Sequence, residues 1–213
     1  MNPLGKFRPT PQTLIIFGLV AVVVVFVFFP GVIHRERGET GVDLEIIYAD
    51  GTTLNITPGR EYTFSVVSPL AIYDEAGKQI TSVRARLWVQ PVLTDVTATD
   101  VVIDYKRTLS ISPPLSGFLS TDDTGSARVQ PSIKKVLDVT ALSFNHTQFL
   151  YGATGETWYT VTFSYSGTGS AGGYSTDFST SAAMKVQYKE ATPTGSITIL
   201  VGVEKDVLNI VRR

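Results

Sequence analysis

The chain has 213 residues, with 18 lysines and arginines against 19 aspartates and glutamates, no cysteine, and a formal net charge of −1 at neutral pH. This near-balance, without a basic stripe, excludes nucleic acid as the expected partner. The missing thiols exclude a disulfide scaffold, a thiol enzyme and an anchor through a lipidated N-terminal cysteine.

Between Leu14 and Phe29 the sequence reads LIIFGLVAVVVVFVFF, with no charge and no strong hydrogen-bonding side chain. Extended to 13–33, this segment gives a helix of about 31 Å at roughly 1.5 Å per residue, matching a hydrocarbon core of about 30 Å. In lipid the backbone must satisfy its own hydrogen bonds, which forces a helix despite the many valines. A buried helix of a soluble protein would keep a polar face, and this segment has none. A cleaved secretory signal would be shorter and end in small residues, whereas the exit here is Phe28-Phe29-Pro30-Gly31-Val32-Ile33-His34-Arg35. A prepilin would carry an acid early in the apolar run, and none is present.

The expected organisation is therefore a tail over 1–12, a transmembrane helix over 13–33, a juxtamembrane linker over 34–41 and an exported domain over 42–211. Lys6 and Arg8 before the span nearly balance Arg35 and Arg37 after it, so the positive-inside rule is close to neutral. The tail is too short to be a domain. That favours a cytoplasmic N-terminus, a single pass through the bilayer and an extracytoplasmic C-terminal domain. Two Asn-x-Thr sequons, at Asn55 and Asn145, are compatible with export and expected by chance in a chain that is about one-fifth Ser and Thr.

From Val42 the hydrophobic period changes to two: Val42, Leu44, Ile46 and Tyr48 share one face, Asp43 and Glu45 the other. Asp50-Gly51 reads as a two-residue hairpin turn leading to Thr52–Ile56, and Thr57-Pro58-Gly59 as the next corner. Tyr62, Phe64 and Val66 alternate in a further strand, and Asp74-Glu75-Ala76-Gly77 makes another turn. Val83, Ala85, Leu87 and Val89 point one way and Arg84, Arg86, Trp88 and Gln90 the other, until Pro91 interrupts pairing. Val101, Ile103 and Tyr105 repeat the alternation.

Residues 112–132 hold three prolines and two glycines without periodicity. They read as a long loop or as a linker dividing the domain into two halves. Ile133–Phe144 fits a short helix or a strand. Tyr159, Val161, Phe163 and Tyr165 form one arm of a long hairpin. After a loop over 167–173, Phe178, Ala182, Met184, Val186 and Tyr188 form the other, and Ile197, Ile199, Val201 and Val203 mark the last strand.

Nine or ten such strands, with turn signals about every 8 to 12 residues, predict an all-β fold. The expected form is an antiparallel β-sandwich, immunoglobulin-like or jelly-roll-like. A short tail, one span and a cysteine-free sandwich resemble the layout of archaeal surface-filament stator proteins and of minor membrane proteins in membrane-containing virions. That likeness is of layout alone and transfers no function. The anchor and the sandwich themselves lead to the expectation of a structural or accessory component of a cell envelope, membrane complex or virion, assembled with other membrane or surface proteins.

Three motifs carry candidate chemistry. Gly167-Thr168-Gly169-Ser170-Ala171-Gly172 matches the dinucleotide fingerprint in spelling, but a strand pattern follows it where the mechanism needs a helix N-terminus. Asp123-Thr124-Gly125-Ser126 resembles the loop that carries the carboxylate of pepsin-like and retroviral-type aspartic proteases. The resemblance implies a dimer in which two copies of Asp123 share one proton; the rival reading is a plain turn. Arg84, Arg86, Trp88 and Gln90 form a strip of residue types enriched at binding hot spots. With only His34 and His146, and with Asp95, Asp100 and Asp104 off calcium-loop spacing, no metal and no cofactor is expected. The function expected from the sequence is binding, and the enzyme-class alternative is a membrane-tethered peptidase using Asp123.

Overall fold

The computed structural model describes residues 37–68, 71–115, 120–143, 157–189 and 195–212. The tail and the transmembrane helix expected over 1–33, the start of the linker, His34 and the second sequon lie outside the described residues. Among the described residues no helix is long and apolar enough to cross a membrane. Arg37–Arg213 forms one compact unit.

The described residues build strands and no helix. In chain order the strands begin with β1 (Glu39–Tyr48), β2 (Thr53–Asn55), β3 (Glu61–Ser68), β4 (Ala71–Tyr73) and β5 (Gln79–Gln90). They continue with β6 (Val92–Thr94), β7 (Val101–Ser112), β8 (Thr121–Val129), β9 (Lys135–Ser143) and β10 (Trp158–Ala171). The last are β11 (Tyr174–Lys189), β12 (Gly195–Glu204), β13 (Asp206–Val207) and β14 (Asn209–Val211). Twelve of them share one antiparallel sheet in the order β13-β1-β5-β4-β3-β12-β11-β10-β7-β8, with β2 also on β1 and β9 also on β5. β6 and β14 form a separate parallel pair.

The sheet curls because its inward rows have to leave water. Val42, Leu44 and Ile46 of β1 and Val83, Ala85 and Leu87 of β5 meet Phe64, Phe163, Met184, Ile197 and Ile199 from β3, β10, β11 and β12 in one buried cluster. β1 packs across β11 and β12, so the two arms of one sheet enclose the core between them. A second cluster, of Val89, Val101, Ile103, Val129, Phe178, Leu208 and Ile210, fills the end where β14 is tucked in. Strand alternation supplies both: each inward residue is two positions from the next, and the intervening Ser, Thr and charged residues face outward.

Several expected elements changed form. The Asp50-Gly51 turn has three residues, not two: Gly51 donates to the Tyr48 carbonyl at 3.0 Å and alone takes a positive φ, of 81°. This is a type I turn closed by a left-handed glycine. The loop expected over 167–173 is strand as far as Ala171, and only Gly172-Gly173 turn, with φ of 57° and 84°. Segment 112–132, expected to be a loop or linker, carries β8, which pairs with β7 from Val101↔Val129 to Leu109↔Thr121. No division into halves falls there.

Segment 133–144, ambiguous in sequence, is strand over β9. Its pairing with β5 shifts between Leu87↔Asp138 and Trp88↔Val136, leaving Leu137 as an extra residue. That bulge breaks the period of two, so no single template fits. The expected linker also shortens, since β1 begins at Glu39.

Phe163 has no exposed surface and lies in the main cluster. Phe163→Ala is expected to lower stability by about 3–5 kcal/mol through lost burial and a residual cavity. Urea unfolding followed by tryptophan fluorescence checks this, because Trp88 is buried and Trp158 half exposed.

Candidate functional site

The strip Arg84, Arg86, Trp88 and Gln90 lies on the outer face of β5, flanked by β1 on one edge and β9 on the other. Register places Glu45 opposite Arg84, Asp43 opposite Arg86 and Gly41 opposite Trp88. Opposite charges on facing strands are drawn together. Arg84 Nε donates to Glu45 Oε1 at 2.7 Å, and Arg86 Nη1 lies 3.5 Å from the same oxygen.

Glu45 is only 3% exposed. Burial opposes its ionisation, but the hydrogen bond and charge of Arg84, with Arg86 and the Thr53 hydroxyl, hold its carboxyl below the ordinary value.

Trp88 is buried as well. Its Nε1 donates to Asp43 Oδ1 at 3.0 Å, and its ring lies across Gly41, where any Cβ would meet Cζ2. Lys134 Nζ sits 3.8 Å from the ring centroid and Lys205 Nζ 5.2 Å, a double cation–π arrangement. Gln90 Nε2 donates to the Ser132 carbonyl at 3.3 Å. The structure therefore brings the four strip residues together on one face, with Arg84 and Trp88 engaged internally.

Beside them a cleft of about 670 Å³ is lined by the cations Arg86, Lys134 and Lys205, by the carboxylates of Asp43 and Glu45, and by apolar side chains including Ile56, Pro58, Val136 and Val203. Its lining holds no hydroxyl, thiol or imidazole side chain. Its charges are mixed, three cations to two carboxylates, beside an apolar wall.

Asp123 stands elsewhere, within β8 opposite Arg107. Arg107 Nη2 donates to Asp123 Oδ2 at 2.8 Å, and the Thr124 amide donates to Oδ1. The Asp-Thr-Gly-Ser motif is thus strand, neither a catalytic loop nor a turn. Its glycine has a packing cause: a Cβ at Gly125 would collide with the Tyr105 ring lying over it.

Arg107 also binds inward, and this network was not legible in the sequence. Its Nη1 donates to the Asp138 carboxylate at 3.1 Å and to Thr140 Oγ1 at 2.8 Å, while the Tyr165 hydroxyl donates to Asp138 at 3.0 Å. Burial raises the Tyr165 hydroxyl pKa further above its usual value, so it stays protonated as a donor. The network ties β9 to β7 and β10, and the Arg107 Nε has no partner among the described residues.

Among the described residues no three His, Cys, Asp or Glu side chains are grouped to hold a metal ion. Gly167 to Gly172, the dinucleotide-like spelling, forms the end of β10 and its turn, with β11 rather than a helix following. Comparison of the chain with known protein families, curated proteins and solved structures finds no match. Glu45 was readable in sequence only as one of two outward acids; what singles it out is the register that sets it beside Arg84.

Two variants test these arrangements. Glu45→Gln is expected to cost about 1–3 kcal/mol at pH 7. Because the folded-state pKa is lowered, the gap between wild type and variant is full above the unfolded value of about 4.3. It closes as pH falls below that value, as midpoints of denaturant unfolding across pH would record. Arg107→Met strands a largely buried Asp138 and is expected to cost about 3–5 kcal/mol. Adding Asp138→Leu is expected to recover part of that loss in the same assay.

Proposed function

We propose that this protein is a single-pass membrane-anchored binding component: a structural or accessory subunit of a surface or membrane assembly, with no catalysis of its own. The observation that carries the reading is the uninterrupted apolar run Leu14–Phe29 placed ahead of an all-β unit. A segment of that length and composition is stable in lipid and not in water. In this reading the two arms of the curled sheet act as a β-sandwich of immunoglobulin-like or jelly-roll type, held outside the membrane with the N-terminus in the cytoplasm.

The chemistry of the β unit supports binding over catalysis. The Arg84–Gln90 strip, the mixed charges of the cleft beside it and long polar edges offer contacts. Asp123 is engaged by Arg107, which weighs against a dimeric peptidase.

Fractionation of the full chain tests the anchor. The protein is expected to stay with membranes through alkaline carbonate and to leave them only in detergent, with the β unit cleaved by protease added to the non-cytoplasmic side. Gentle solubilisation and native mass determination should then give a defined complex. Release by carbonate would overturn the anchor, and an isolated monomer would overturn the assembly.

A further inference from the structure

β8 ends the sheet. Among the described residues its ladder partner is β7, and no strand pairs with its other edge. On that edge the Arg128 carbonyl accepts from Lys135 Nζ at 2.8 Å and the Thr124 amide donates to Asp123 Oδ1 at 2.8 Å. The even-numbered residues of β8 therefore turn their backbone groups away from β7, and side chains stand where a neighbouring strand would be. Asp122, Thr124, Ser126 and Arg128 are all exposed.

The edge is complementary to itself. A second copy laid antiparallel, with Gly125 opposite Gly125, sets Asp122 against Arg128 and Thr124 against Ser126 on both sides of the two-fold axis. Each of these pairs joins even-numbered residues, so the outward backbone groups meet as donors and acceptors. Sliding the second copy by two residues either way leaves both charges without an opposite partner, which singles out one register. Gly125 adds no side chain of its own at the dyad, and the place of its Cβ on one face is taken by the Tyr105 ring, whose hydroxyl reaches the Leu137 carbonyl at 3.5 Å.

The charges have capacity to spare. Asp122 accepts from Thr108 Oγ1 at 2.8 Å and pairs with Lys106 at 2.8 Å, leaving further lone pairs on a half-exposed carboxylate. Arg128 enters no ion pair among the described residues. Lys135, released from the Arg128 carbonyl, would stand beside Asp122 of the second copy and add a further cation there.

We infer that the β8 edge takes a second copy of this chain, paired β8 to β8 about a two-fold axis through Gly125, so that two β units share one continuous sheet. A single nine-residue ladder buries little area and is weak between molecules free in solution. Anchors in one bilayer raise the effective concentration of the two edges. In that respect the inference rests on the membrane-anchored reading and names one partner within it.

Disulfide trapping in the full chain tests it, because the protein has no cysteine of its own. Positions 122 and 128 are about 20 Å apart along one strand and cannot bond within a chain, but they face each other across the axis. Asp122→Cys with Arg128→Cys in one chain is expected to give, under mild oxidation of membranes, a species of twice the chain mass that reductant abolishes. Each single variant alone is expected to stay monomeric, and the two single variants mixed to cross-link.

Native mass in gentle detergent gives a second reading. Asp122→Arg is expected to lose the dimer, and adding Arg128→Asp to restore it. Failure of the double-cysteine chain to cross-link, or equal cross-linking by the single variants, would overturn the pairing. If that happened in protein still held by membranes after carbonate, the anchor reading would stand. Cross-linking in protein that carbonate releases would instead overturn the anchor and keep the edge pairing.

Discussion

The structure depends on the inward row of β5. Val83, Ala85, Leu87 and Val89 are all fully buried, and their strand is paired along both edges. One of those edges is shared: β4 takes Gln79 and Ile80, and β9 takes Ser82 to Val89. A strand whose edge divides in this way lets the sheet continue in two directions. Through β4 and β3 it runs on to β12, β11, β10 and β7, and through β9 it comes back towards β7 and β8. The hydrophobic free energy of closing the two arms over one core is what makes that branching favourable.

The outer faces follow from the same branching. Because β5 is central, its outward side chains lie between those of β1 and β9, and charges there must be matched locally. Glu45 and Asp43 do this for Arg84, Arg86 and Trp88. Where β9 returns to the other arm, Leu137 and Leu142 join the apolar clusters, and Arg107, Asp138, Thr140 and Tyr165 add hydrogen bonds to the approach. A charged bond in that position fixes how the arms meet in a way that interchangeable aliphatic contacts would not.

Strands buried on one face were legible because burial writes a period of two into the sequence. Val42, Leu44, Ile46 and Tyr48, and again Val161, Phe163 and Tyr165, were read correctly as inward rows. β8 was not legible. As the last strand of the sheet it buries little, so Thr121-Asp122-Asp123-Thr124-Gly125 carries no alternation and reads as turn chemistry. β9 was obscured by its bulge at Leu137. The site was legible in part: the strip on β5 was found from alternation alone. Its partners Asp43, Glu45, Lys134 and Lys205 come from three separate segments, and only the fold reveals that they converge.

The chain's entry into β1 and its last strand are clasped together. Gly38 donates to Asn209 Oδ1 at 2.7 Å, Leu208 donates to the Gly38 carbonyl at 3.1 Å, and β13 pairs with Glu39 and Thr40. Loosening the closing strands would therefore free the entry to β1 as well, so that the two ends of the β unit are released together.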